Sequence, residues 1–105
     1  MKVFWTKESI QHLKEIELYI SRDNQNAAEK FIDKLVGLAE TLSHNSVKGR
    51  IVPEFSLPQI RELIYRNYRI VYMIRKNRIE ILTVFEGHQL LKKEEIKSRG
   101  YLIKF

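Results

Sequence analysis

Cysteine is missing from the chain, proline occurs twice and glycine four times in 105 residues. Without cysteine there can be no disulfide framework and no thiolate nucleophile or ligand, which suits an intracellular, cytoplasmic protein. No apolar run approaches the ~18 residues of a membrane span. The start, "MKVFWTKES", shows no apolar stretch followed by a small-residue cleavage site, so neither membrane nor secretion is expected. The three histidines, His12, His44 and His88, have no metal-ligand spacing. No glycine loop of the phosphate-cradling kind occurs either. We therefore expect no metal and no cofactor.

What remains is an ordinary globular composition, 44% hydrophobic and 30% charged. It is enough for one small domain over residues 1–105. The net charge is +6, and it is lopsided. Residues 1–47 carry six Lys/Arg against seven Asp/Glu, and residues 48–105 carry thirteen against six. A basic C-terminal half serves solubility, or it meets an anionic partner such as nucleic acid or an acidic protein segment.

Periodicity predicts the elements. "KVFW" (Lys2–Trp5) is a β-favouring run, and Thr6 can cap a helix whose apolar residues are Ile10, Leu13, Ile16 and Ile20. Polar "SRDNQN" (Ser21–Asn26) turns the chain. Ala28, Phe31, Ile32, Leu35, Leu38, Ala39 and Leu42 then form one stripe of a second helix. So short a connection implies an antiparallel helical hairpin. Residues 43–59 read as irregular, punctuated by Gly49, Pro53 and Pro58. Three strands follow, Ile60–Tyr65, Tyr68–Arg75 and Arg78–Glu86, joined by "RN" and "KN" turns. A short helix over Gln89–Ser98 and a terminal strand or tail complete the expectation. The fold class is α+β: a β-α-α-β-β-β core, an antiparallel sheet covered on one face by the hairpin, and a short C-terminal helix.

Two-residue turns set the faces of the meander by alternation. One face collects Leu63, Tyr68, Ile70, Tyr72, Ile74, Ile79, Ile81, Thr83 and Phe85 to receive the helices. The other collects Ile60, Glu62, Ile64, Arg69, Val71, Met73, Arg75, Glu80, Leu82, Val84 and Glu86. Arg69 thus lies on a central strand, diagonal to Glu62 and opposite Val84. A charge among apolar neighbours needs a partner, because burying it unpaired is costly. Two readings stand: an ion pair with Glu62 or Glu86, or a guanidinium held for an anionic ligand such as a phosphate.

In this order, "GRIVPEF", "IREL", "YRIVY" and "IEILTVFEGHQLL" resemble the RelE/ParE superfamily of type II toxin–antitoxin toxins, which includes the plasmid stabilisation proteins. The resemblance runs from "VFWT" to about Leu91. It implies a growth-inhibiting toxin bound by a cognate antitoxin, with any DNA contact made through the antitoxin. RelE-like members cleave mRNA in the ribosomal A site without a metal; ParE-like members poison DNA gyrase. "GRIVPE" and "IREL" look closer to ParE-type sequences. If the chain were a ribonuclease, the resemblance would assign phosphate stabilisation to Arg69, proton transfer to Glu54 and the remaining acid–base role to His88. Arg61, Glu62, Arg75, Arg78 and Glu86 would be binding residues. Where many relatives carry a His-Gly-Arg-Arg segment, this chain has Glu86-Gly87-His88-Gln89. That departure removes the usual histidine and two cations. A third reading is an inactive relative that only binds its antitoxin.

Overall fold

The computed structural model describes residues 1–87. The elements run β1 (Lys2–Trp5), α1 (Lys7–Ser21), α2 (Gln25–Glu40), a 3₁₀ turn (Thr41–Ser43), β2 (Arg50–Ile51), β3 (Ile60–Tyr65), β4 (Tyr68–Ile74) and β5 (Arg78–Glu86). The expected C-terminal helix and tail lie outside the described residues.

Both helices start where their caps put them. The Thr6 hydroxyl oxygen accepts from Ser9 N at 3.2 Å, and the same hydroxyl donates to Ile81 O at 2.7 Å, tying the start of α1 to β5. Asn24 Oδ1 accepts from Ala27 N at 3.0 Å and opens α2.

The sheet has five strands in the order β1-β5-β4-β3-β2. The β3–β4–β5 meander is antiparallel. It becomes a mixed sheet because β1 pairs parallel with β5 at one edge, the helical hairpin carrying the chain from β1 across to β2 at the other edge. β2 is an addition: two residues of the supposedly irregular segment pair antiparallel with Arg61 and Glu62.

The helices cover one face. Ile16, Leu35, Ala39 and Leu42 pack on Leu63, Tyr68, Ile70, Tyr72, Ile79, Ile81 and Val84. Phe31 meets Tyr68 edge-on at 5.2 Å between ring centroids. The opposite face is not open. Val52 and Phe55, with Leu57, fold back over Ile60, Val71, Met73 and Leu82. The segment before β3 thus makes a second small core.

Register follows the two-residue turns up to one point. Tyr65 faces Tyr68, and Arg75 N bonds Arg78 O at 2.8 Å, as alternation predicts. The β4–β5 ladder then shifts between Val71 and Tyr72: Tyr72 pairs with Ile81 but Val71 pairs with Thr83, leaving Leu82 as the extra residue of a bulge. Beyond it Val84, Phe85 and Glu86 change side, while Thr83 keeps its contact with the helices. Val84 joins the helix-side core, and Phe85 packs on the outer cluster. Arg69 pairs with Phe85, not Val84. Glu86 pairs with Tyr68 on the helix side, not on the outer face. Thr83 pairs with Val71, and its hydroxyl sits 2.9 Å from His12 Nδ1, so His12 is a half-buried contact between α1 and β5.

Candidate functional site

Outward from the middle of the sheet, the second small core ends at a cluster of four charges, of which Arg69 and Glu62 are buried, Glu54 is half-buried and Arg50 is exposed. Arg69 projects from β4, and its side chain is 8% exposed. Its Nε donates to Glu62 Oε1 at 2.5 Å. Its Nη1 and Nη2 each donate to a different oxygen of Glu54 at 2.8 Å, a two-pronged fork. Its Cζ lies 5.2 Å from the centre of the Phe85 ring. Glu62 is fully buried at its side chain, and its second oxygen accepts from Arg50 Nε at 2.6 Å. Glu62 is therefore held between two guanidinium groups, and Arg69 between two carboxylates.

Local structure explains why these groups meet. Arg69 and Glu62 are diagonal neighbours across β3 and β4. Arg50 reaches Glu62 because β2 pairs Arg50 directly opposite it. Glu54 is delivered by the turn after Val52, where Val52 O accepts from both Phe55 N and Ser56 N, and Ser56 takes φ 55°. Gly49 lets that segment lie close to the sheet: a Cβ there would stand 2.5 Å from Glu62 O and 2.7 Å from Tyr72 Oη. Tyr72 Oη accepts from Gly49 N at 3.0 Å and donates to Ser46 O at 2.7 Å. Burial pushes the Tyr72 hydroxyl pKa up, opposed by its bond from Gly49 and the charge of Arg61. The Arg69 pKa is raised most by its bond to Glu54, then opposed by burial and supported further by Glu62. Its charge is permanent.

The remaining predicted residues are dispersed. Arg61 Nε donates to Pro58 O at 2.9 Å and its Nη1 to Gly49 O at 3.0 Å, pinning both ends of the segment before β3. Arg75 and Arg78 share Glu80, each at 2.8 Å, at the far end of the sheet. Burial pushes the Glu80 carboxyl up, but the bonds and charges of Arg75 and Arg78 outweigh it and hold its pKa below the ordinary value. Glu86 lies beside Tyr68, whose hydroxyl is pushed up by burial first and then by the negative charge of Glu86 and by Tyr19. His88 lies outside the described residues. So the structure joins Arg69, Glu54 and Glu62, and separates them from Arg61, Arg75, Arg78 and Glu86. Arg50 was missed from sequence, since only the pairing of β2 with β3 shows that it faces Glu62. Among the described residues no group of three or more His, Asp or Glu could hold a metal ion, and no helix is long and apolar enough to cross a membrane.

A helical hairpin on one face of a β1-β5-β4-β3-β2 sheet is the RelE/ParE toxin architecture. The chain superposes on a solved structure titled "Chromosomal ParDE TA system from P. aeruginosa" with TM-score 0.69 and 21% identity, covering 82% of this chain and 95% of that one. It superposes on "The structure of YoeB dimer from Staphylococcus aureus" with TM-score 0.58 and 17% identity, covering 85% and 98%. It is 30% identical over 90 residues to the Sinorhizobium fredii (strain NBRC 101917 / NGR234) protein named "Putative toxin Y4kP", 84% of this chain and 90% of that protein. Residues 3–91 match the family model described as "ParE toxin of type II toxin-antitoxin system, parDE". The chain belongs to this ParE toxin family, and so is a toxin of the type II toxin–antitoxin class.

Proposed function

We propose that this toxin arrests growth by poisoning DNA gyrase once its cognate antitoxin no longer covers it. The observation that carries this reading is the state of Arg69. Metal-free RNA cleavage needs a cation free to stabilise the crowded phosphorane. Arg69 instead spends Nε, Nη1 and Nη2 on Glu62 and Glu54. Two carboxylates against two guanidinium groups leave the cluster neutral, and the carboxylates repel an incoming phosphate. The cluster then acts as a rigid brace beneath a protein-binding surface. The match of residues 3–91 to the ParE family supports the same reading.

The antitoxin has apolar ground to cover outside the second core. Leu18 and Tyr19 on α1 are more than 60% exposed, and Val47, Ile51 and Ile64 line the β2–β3 edge. Apolar anchors of this kind would bind, and acidic residues would be steered by the basic half.

A second reading has one observation in its favour. Arg69 and Glu54 touch, so two groups of a ribosome-dependent mRNA endoribonuclease are together. In that chemistry the ribose 2′-hydroxyl loses its proton to a base and attacks the adjacent phosphorus. The P–O5′ bond breaks, and the leaving oxygen takes a proton from an acid. Glu54 would be the base, Arg69 the cation and His88 the acid, which requires Glu54 to release Arg69.

Expression of the full chain without antitoxin separates the readings. Gyrase supercoiling should fall and gyrase-linked DNA breaks accumulate, with mRNA intact. Codon-dependent mRNA cleavage over intact DNA overturns the gyrase reading and selects the ribonuclease. A fully folded chain that leaves growth unaffected overturns both.

A further inference from the structure

The cations unexplained by the Arg69 cluster gather at the other end of the sheet. Arg75 directly follows β4, six residues on from Arg69, about 20 Å at ~3.3 Å per residue. The β4–β5 turn, Arg75-Lys76-Asn77-Arg78, is almost wholly cationic. The parallel register of β1 brings Lys2 opposite Arg78 and Phe4 opposite Glu80. One strand end therefore holds Lys2, Arg75, Lys76 and Arg78 against a single acid, Glu80, among the described residues.

That acid orients its neighbours without using them up. Glu80 takes Arg75 through Nε and Arg78 through Nη2. Among the described residues, no hydrogen bond engages the terminal nitrogens of Arg75 or Nε and Nη1 of Arg78, and the side chains are 39% and 48% exposed. A guanidinium already fixed by one bond loses less conformational freedom when it grips a phosphate.

Phe4 is the second, independent observation. It is a large aromatic on an edge strand, 47% exposed, outside the cover that Val52, Phe55 and Leu57 provide. Arg78 Cζ stands 5.0 Å and Lys2 Nζ 5.9 Å from its ring centre. A ring with cations over it at phosphate-binding range, much of its surface still exposed, is an arrangement by which proteins hold single strands: a base stacks on the part of the ring and of the Arg78 guanidinium left open, and the backbone runs along the charges. A merely solubilising patch has no use for the exposed ring. An acidic protein segment would use the cations but not the flat face.

We propose that Lys2, Phe4, Lys76 and Arg78, with Arg75, form a binding surface for single-stranded nucleic acid, distinct from the Arg69 cluster. The phosphates would lie on the cations and one base on Phe4. The surface does not depend on which target the toxin poisons, and its loss would leave the Arg69 cluster intact.

The test is fluorescence anisotropy of the full chain with labelled oligo-dT, oligo-rU and a duplex of equal length, titrated with salt. Single strands should bind more tightly than the duplex. Neutralising three to four phosphates gives a slope of log K against log salt of about −2 to −3. Lys76→Gln, in the exposed turn, should make that slope shallower by about 0.7. Phe4→Ala should weaken single-strand binding about tenfold, and Phe4→Leu, which keeps apolar bulk but not the flat ring, should do the same. Lys14→Gln on α1 should change nothing. A preference for rU over dT, or the reverse, supports the proposal and identifies the strand as RNA or DNA. The proposal is overturned if the wild type binds no single strand, if the duplex binds more tightly, if Phe4→Leu binds like wild type, or if Lys14→Gln matches Lys76→Gln.

Discussion

Replacing Arg69 by Ala tests the ion cluster most directly, and the structure allows its cost to be worked. The substitution removes three charge-assisted hydrogen bonds and the contact with the Phe85 ring. It leaves Glu62 fully buried with Arg50 as its cationic partner, while Glu54, 22% exposed at its side chain, can turn to water. Breaking a buried pair by removing one partner costs about 3–5 kcal/mol. Because Arg50 still neutralises Glu62, the lower end, about 3 kcal/mol, is expected. A domain of this size has ~5–15 kcal/mol of stability in all. The midpoint of thermal unfolding should therefore fall by ~10–20 °C. Reversible urea unfolding of wild type, Arg69→Ala and Arg69→Ala/Glu62→Gln measures it. The double variant should recover part of the loss, since the buried group left behind is then neutral. A loss below about 1 kcal/mol in the single variant, a value typical of exposed pairs, would refute the argument that this cluster braces the sheet. The same magnitude bears on function: lost toxicity in Arg69→Ala is informative only alongside a measurement of folded fraction.

Two glycines should respond in opposite directions. Gly49→Ala forces a Cβ against backbone Glu62 O and the Tyr72 ring, and should destabilise by about 2 kcal/mol or more, as overpacking does. Gly37→Ala, in the interior of α2 with nothing within 4 Å of the new Cβ, should stabilise by about 0.5–1 kcal/mol; paired thermal melts decide both. Glu80 has a folded pKa below its unfolded value, so its contribution to stability is fully present above the unfolded pKa. That contribution is lost as pH falls through the folded pKa. Glu80→Gln should flatten the stability curve between those two values and leave its shape near neutrality unchanged; a wild-type slope retained in the variant refutes the assignment.

The helical hairpin and the three-strand meander were legible because both report locally. A stripe at 3.6-residue spacing, Thr6 and Asn24 at helix starts, and two-residue turns each depend on neighbours in the chain. The position of Arg69 beside Glu62 was legible for the same reason, as diagonal neighbours across one hairpin. The bulge at Leu82 was not. "RIEILTVFE" is apolar at nearly every position beyond Glu80, and both sheet faces are buried, so side-chain pattern favours neither register. One extra residue then exchanged Val84 and Phe85 between faces and moved Glu86 to the helix side.

The sequence by itself determined the elements, the lopsided charge and the resemblance that the family match bears out. These rest on local periodicity and on residue order. Tertiary structure alone decided what Arg69 meets. Glu54 and Arg50 reach the cluster from a segment whose path depends on Gly49 fitting under Tyr72, on Arg61 holding its two ends, and on Phe55 burying itself against the sheet. Apart from the Arg61–Pro58 bond, the contacts that set this path join residues well separated in the chain, and no local signal encodes them.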